Sequence, residues 1–283
     1  MAKKERSSSL INRTGNMKRS DFIKHLAMAP LLFLALTAFI NKEEESTMKK
    51  VIHRAEDRGF ADHGWLKSFH SFSFASYYNP ERMNFGLLRV LNDDSVAAGM
   101  GFGQHPHDNM EIVSIPLKGS LEHQDNMGNK QVIGPNEVQI MSAGKGVKHS
   151  EYNHSKTEDV KFLQIWVFPK EKNIQPRYEQ KVFDPKGRKN SFQTVVSPEQ
   201  TDSSLWINQD AWLVLGDLDS GKSLAYKLRD KAHGVYVFVL EGSVEAGGET
   251  LKRRDAIGIS EAESLEVKAT ENAQVLLIEV PMK

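Results

Sequence analysis

The chain has 283 residues, 37 basic and 37 acidic, and 39% of it is hydrophobic, enough for one large or two ordinary domains with real cores. The first 47 residues hold 8 of the basic and 5 of the acidic groups, leaving 29 against 32, so no basic face for nucleic acid or an anionic membrane is expected. Cysteine is absent, which excludes disulfides, thiolate catalysis and cysteine-type zinc sites.

Residues 1–47 read as a leader or signal-like segment outside the fold. Lys18, Arg19 and Lys24 precede an apolar run over 26–40, and Asn41-Lys42-Glu43-Glu44-Glu45 follows it. Fifteen residues with Pro30 among them fall short of the roughly 20 a membrane span needs, but they fit the apolar stretch of an export signal. A functional leader implies a periplasmic or membrane-tethered protein with no stable membrane span. Translation from Met48 implies a cytoplasmic one.

From Met48 onward the chain reads as short strands and turns. Aliphatic runs at 85–91, 110–117, 137–141, 162–168, 211–215, 235–240 and 275–280 are separated by clusters such as Met127-Gly128-Asn129, Gly134-Pro135-Asn136 and Ala246-Gly247-Gly248. This spacing predicts an all-β sandwich or barrel. Leu117-Lys118-Gly119-Ser120-Leu121-Glu122 recurs 123 residues later as Leu240-Glu241-Gly242-Ser243-Val244-Glu245, and Asn136-Glu137-Val138 is answered by Arg254-Asp255-Ala256. The repeat predicts two barrels of similar topology, 48–180 and 181–283, joined by a polar stretch around 171–200.

The chemistry concentrates in the first barrel. His105-Pro106-His107 and His149-Ser150-Glu151 each place two metal-competent side chains at i and i+2 of an extended segment, and therefore on one face. Three imidazoles and one carboxylate suit Fe(II), Mn(II), Ni(II) or Cu(II) better than a purely structural zinc. Glu111 competes with Glu151, because by the same period it shares a face with His107. At the 123-residue offset His105 and His107 fall on Leu228 and Asp230, and no His-x-Glu follows Asp255, so the second barrel is expected to lack ligands. His123 reads as a supporting or structural histidine, and His154 and His233 as surface or turn residues. Phe102, Met141, Phe162 and Trp166 read as barrel core or pocket lining.

Gly99-x5-His105-x-His107-x3-Glu111 and Gly146-x2-His149-x3-Asn153 resemble the two motifs of the cupin superfamily. More closely, residues 48–283 resemble the pirin family of bicupins. The stretches that carry this are His105-Pro106-His107-Asp108-Asn109-Met110-Glu111, Gly119-Ser120-Leu121-Glu122-His123-Gln124-Asp125, and the run from Val138 through Gly146 to His149-Ser150-Glu151. The resemblance implies two tandem cupin barrels (double-stranded β-helix, jelly-roll-like), metal-bearing in the first and without ligands in the second. Glu111 matches the carboxylate of ordinary cupins, whereas the pirin pattern implies His105, His107, His149 and Glu151 as the metal ligands. It implies one divalent transition metal per chain, Fe(II) first, with Ni, Cu, Mn and Zn as alternatives. The implied activity resembles quercetin 2,3-dioxygenase: O2-dependent ring opening of quercetin or a similar flavonol by a monomer, with Glu151 as general base. The alternative is a non-catalytic, metal- and redox-responsive binding protein that regulates a protein partner.

Overall fold

A computed structural model describes residues Met48–Lys283. The expected leader, residues 1–47, lies outside the described residues. Among the described residues the regular elements are strands apart from two short 3-10 helices, Ala55–Asp57 and Pro185–Arg188. No helix among them is long and apolar enough to cross a membrane.

Two barrels form, each from a seven-stranded and a four-stranded sheet. In the first, the large sheet runs Arg177–Val182, Glu137–Ser142, Glu111–Lys118, Val160–Val167, Leu88–Val96, Leu66–His70 and Gly59–Asp62 in spatial order. Its small sheet runs Gly101–His107, Val147–Asn153, Leu121–Asp125 and Lys130–Ile133. The second barrel repeats the plan with Lys49–His53, Ala256–Ser260, His233–Glu241, Ala273–Pro281, Trp212–Leu218, Phe192–Ser197 and Leu205–Trp206. Its small sheet is Ser223–Lys227, Ser264–Ala269, Ser243–Ala246 and Glu249–Lys252.

All seven aliphatic runs read from the sequence fall on strands of the two large sheets. These sheets are covered on both faces, which is why their strands are near-continuously apolar. One face fills its own barrel. The other packs against the partner barrel, where Leu91, Val113, Ile140 and Leu163 meet Leu213, Tyr236, Phe238 and Ile278 in one shared core. The small sheets have one wet face, so they alternate: in Val147–Asn153 the odd-numbered positions are buried and the even ones are not.

The repeat is equally visible in the backbone. Gly119 and Gly242 take the same left-handed conformation (φ 72° and 77°) at the turn from large to small sheet, where a Cβ at Gly242 would collide with the Asn272 carbonyl. Asn136 and Arg254, its second matched pair, are also left-handed (φ 66° and 69°).

The expected division of the chain differs from the strand pairing in two places. Lys49–His53 pairs with Ala256–Ser260 and forms an edge of the second barrel, while Arg177–Val182 pairs with Glu137–Ser142 and runs past residue 180. The polar stretch 171–200 is therefore not a free connector, since it holds one strand of each barrel, Arg177–Val182 and Phe192–Ser197. It reads as polar because much of both strands is only partly covered. The chain thus passes between the barrels at both ends of the first one. Arg54 strengthens the first crossing by donating to Asp255 Oδ2 at 3.2 Å and to the Thr250 carbonyl at 2.9 Å.

A core shared in this way should make the barrels unfold together. Leu163→Ala, in the shared core, is expected to cost about 2–5 kcal/mol and to shift a single cooperative transition seen by both circular dichroism and tryptophan fluorescence. Two separated transitions would contradict the shared core.

Candidate metal centre

The interiors of the two barrels differ at one register. Across the large sheet of the first barrel, Gln139 pairs with Ser114, Ser114 with Gln164, Gln164 with Asn92 and Asn92 with His70. The matching row of the second barrel runs Ile257, Val237, Leu277, Val214 and then the half-buried Thr194, and the 123-residue repeat carries Ser114 onto Val237. The second barrel is filled by an apolar cluster containing the first four of these. The first holds two smaller clusters, one around Leu121, Val160 and Phe162 and one around Ile112, Met141 and Val147. A buried polar row is costly unless its groups are bonded, so it marks the working half of the molecule.

Facing this row, the small sheet brings the histidines together. His105 and His149 are direct cross-strand partners. The ring centroids are 4.5 Å apart for His105–His149, 4.8 Å for His105–His107 and 4.9 Å for His107–His149. One ring nitrogen from each lies within 4.8 Å of the others. The strands approach so closely that a Cβ at Gly101 would collide with the Glu151 carbonyl. The register shifts between His149 and Glu151, and such an irregularity re-aims a side chain.

The hydrogen bonds fix where the protons sit. His105 Nδ1 donates to the Gly103 carbonyl at 2.8 Å, which leaves Nε2 bare. His123 Nε2 donates to Asp125 Oδ2 at 3.2 Å, so the Nδ1 of neutral His123 can only accept. It accepts from His149 Nδ1 at 3.5 Å, and His149 Nε2 is then bare as well. That Nε2 is buried without a hydrogen-bond partner among the described residues. A buried, bare nitrogen beside two further imidazoles fits a divalent transition metal. Burial, with His105 and His123 nearby, pushes His149 down to about 3; burial, with His149 and His105, pushes His107 down to about 4. Both are therefore neutral near pH 7, as ligands must be. Burial alone would raise Asp125, but hydrogen bonds from Asn129, His123 and Met127 outweigh it and hold the carboxyl below the ordinary range.

Glu151 is only 2% exposed. Its Oε2 accepts from Gln164 Nε2 at 2.8 Å and its Oε1 from Gln139 Nε2 at 3.3 Å, while the one proton of Ser114 Oγ is shared between that Oε1 at 3.1 Å and Gln164 Oε1 at 2.9 Å. The carboxylate forms a second ligand-competent set with His149 and His123, also within 4.8 Å. His105, His107 and His149 thus form one set, and of the expected four Glu151 joins only His149, in a second set with His123.

Glu111 goes elsewhere. It lies on the opposite face of its strand from Ser114, and its Oε2 accepts from Ser142 Oγ at 2.8 Å and from the Asn208 backbone N–H at 3.2 Å. It neither joins the three-histidine set nor bonds a histidine. His233 is also corrected: it is buried and its Nδ1 pairs with Glu279 at 3.0 Å. His154 is exposed and pairs with Glu122 at 3.1 Å, as a surface residue would. Phe102 and Trp166 line a cavity of about 290 Å³ that also touches His105, His107 and Glu151, while Met141 and Phe162 lie in solid core. Sequence reasoning undervalued the His123–Asp125 pair. Its signal was the same i, i+2 spacing that marked the ligands.

Two antiparallel barrels of one topology, the first with a histidine cluster inside and the second filled with aliphatic side chains, define a bicupin. The chain matches the Pirin profile over residues 51–167 and the Quercetinase C-terminal cupin domain over residues 194–280. It belongs to the pirin family. It is 44% identical over 234 residues to the quercetin 2,3-dioxygenase of Escherichia coli K12, covering 81% of this chain and 98% of that protein. It is 41% identical to a pirin-like protein of Caulobacter vibrioides, over 78% of this chain and 95% of that one. The crystal structure of the bacterial pirin YhhW from Escherichia coli in complex with nickel(II) matches with a TM-score of 0.78 at 41% identity, over 82% of this chain and 99% of that one.

Two measurements check the site. His123→Phe keeps a ring to stack on Tyr178 (4.5 Å) but ends the proton chain to His149, so metal affinity is expected to fall about 10–100-fold in chelator competition; unchanged affinity would refute the chain. The second concerns pH. An imidazole whose folded pKa is lowered stays neutral in the fold, while the unfolded chain takes up its proton below about 6.5. The stability is present above that pH and lost as pH falls toward the depressed value. His149 (about 3), His107 (about 4) and His53 (about 4, chiefly through burial) all act in this sense. Asp94, raised to about 7 chiefly by burial, acts oppositely, losing stability as pH rises from its unfolded value toward 7. His70, lowered chiefly by burial, and Asp125, held low by its hydrogen bonds, act with the three imidazoles, and Glu111, raised chiefly by burial, acts with Asp94. The side that loses stability as pH falls is the larger, so the urea midpoint of metal-free protein is expected to drop from pH 6.5 to 4; a flat profile would refute the neutral, buried imidazoles.

Proposed function

We propose that the first barrel is the active site of a divalent-metal dioxygenase that opens the ring of quercetin or a similar flavonol. The observation that carries this reading is the bare, buried Nε2 of His149 beside His105 and His107. The name of the Escherichia coli relative and the nickel(II) bound by the Escherichia coli pirin support it. His105, His107, His149 and Glu151 would hold one divalent metal, and three imidazoles with a carboxylate suit Fe(II), with nickel a close competitor by affinity. When bound, it would polarise a substrate oxygen and supply a site for O2 chemistry.

The remaining work falls to the chain. Leu66, Phe74, Phe102 and Trp166 give the cavity apolar walls for a flat aromatic ligand and exclude water. Trp166 stands edge-on to His107, with centroids 5.0 Å apart, so the ligand wall also braces that imidazole. Glu151 accepts the proton of the flavonol 3-hydroxyl. Gln164, Ser114 and Gln139 donate to this carboxylate from three adjacent strands and so fix its position. The net reaction is flavonol plus O2 giving the ring-opened ester acid plus CO. Both dioxygen atoms enter the ester acid, and the carbon bearing the 3-hydroxyl leaves with its own oxygen.

The test is elemental analysis followed by oxygen uptake with quercetin. About one metal per chain with flavonol-dependent uptake is expected, and His149→Ala should abolish both while leaving the fold intact. Glu151→Gln should keep most of the metal and lose about 10²–10⁴-fold in turnover. Wild-type turnover in that variant would overturn the base assignment. Bound metal without uptake would overturn the dioxygenase reading in favour of a metal-responsive binding protein.

A further inference from the structure

The polar row extends beyond the groups that hold Glu151. Gln164, Ser114 and Gln139 are engaged by the carboxylate, but Asn92 and His70, next along the sheet, are not. They are 3% and 2% exposed, and Asn92 Oδ1 and His70 Nδ1 have no hydrogen-bond partner among the described residues. One step along the same two strands, Ser68 faces Asp94 and donates to its Oδ1. All four residues line the cavity that also touches His105, His107 and Glu151. Barrel construction does not demand this polarity, since the second barrel places Val214 where the first has Asn92.

Unpaired buried polar atoms are costly and persist where a ligand completes them. The chemistry of that ligand can be read from what faces it. Asp94 and Glu151 both border the space, so an anionic group would meet two carboxyls. An apolar end would leave Asn92 Oδ1 dry and unpaired. A neutral O–H donor satisfies it, and one carried on an aromatic ring suits the apolar walls that Phe74, Phe102 and Trp166 give the cavity. Burial, opposed by the Ser68 hydrogen bond, holds Asp94 up to about 7, so it sits in this apolar space largely without charge at mildly acidic pH and can donate or accept.

We propose that Asn92, Asp94 and His70 form a second subsite, on the sheet facing the histidines, that binds the phenolic hydroxyls of an aromatic substrate and so selects polyhydroxylated flavonols. This deepens the flavonol reading above and rests on it.

The experiment measures dissociation constants of quercetin and galangin for the nickel(II)-loaded full chain under oxygen-free conditions. Galangin lacks both hydroxyls on the pendant ring and is otherwise the same flavonol. Wild type is expected to prefer quercetin about tenfold, the worth of one or two net hydrogen bonds. Asn92→Leu and Asp94→Leu are near-isosteric and should erase the preference by weakening quercetin alone, leaving galangin affinity and nickel content unchanged. Asp94→Asn, the milder change, should keep part of it and serves if a leucine variant misfolds. Equal binding of the two flavonols by wild type, or an undiminished preference in the variants, overturns the subsite and leaves the flavonol reading standing. Failure of wild type to bind either flavonol overturns both.

Discussion

The molecule depends on two seven-stranded sheets packed face to face. Their shared apolar core, with Leu163 and Ile140 on one side and Phe238 and Ile278 on the other, covers the outer face of each large sheet. The barrel interiors are thereby released from carrying the whole burden of burial. The second barrel nevertheless fills its interior with aliphatic side chains. The first interrupts its interior with a row of amides, hydroxyls and imidazoles. Such an interior stabilises less per residue than a packed one, and the shared core and the crossing strands offset the difference.

Within the first barrel, order precedes the metal. The Asp125–His123–His149 chain and the His105–Gly103 bond leave a bare nitrogen on each of two clustered imidazoles by hydrogen bonding alone. Asp125 is itself held by the backbone N–H groups of Met127 and Asn129 and the side chain of Asn129. The turn that reads in the sequence only as a strand break, Met127-Gly128-Asn129, is thus mechanically connected to the ligand set. Supporting groups of this kind orient ligands and raise their basicity, and here they sit on sheet strands and a tight turn rather than on a long loop.

Much of this was legible in the sequence. Alternation placed His105 with His107 and His149 with Glu151, and the repeat announced two barrels, because both signals are periodic and local. What escaped was non-local. That Lys49–His53 pairs with Ala256–Ser260 follows from packing between segments some 200 residues apart, which no window of sequence displays. Glu111 shares the parity of His107, but the chain turns at Asp108-Asn109, where Asn109 takes φ 45°, and parity does not survive the turn. His233 read as a turn residue because its partner, Glu279, lies 46 positions away on another strand. The polar row itself was invisible, since Gln139, Ser114, Gln164, Asn92 and His70 lie on five different strands and meet only through register.

The row also separates the two barrels by more than their histidines. At the places that the repeat matches to His105 and His107, Leu228 is buried in the apolar cluster with Val237, Leu277 and Ile257, and Asp230 lies exposed past the end of the strand Ser223–Lys227. A carboxylate set against Val237, Leu277 and Ile257 would find no side-chain donor in that row, whereas the second barrel's own buried carboxylate, Glu279, is held by Tyr226, the Arg229 backbone N–H and His233. The working barrel therefore differs from its filled twin on both walls at once. The clustered histidines occupy the small sheet, and the groups that hold the Glu151 carboxylate occupy the large one. The backbone is common to both barrels, and the function lies in the pairing of those two walls.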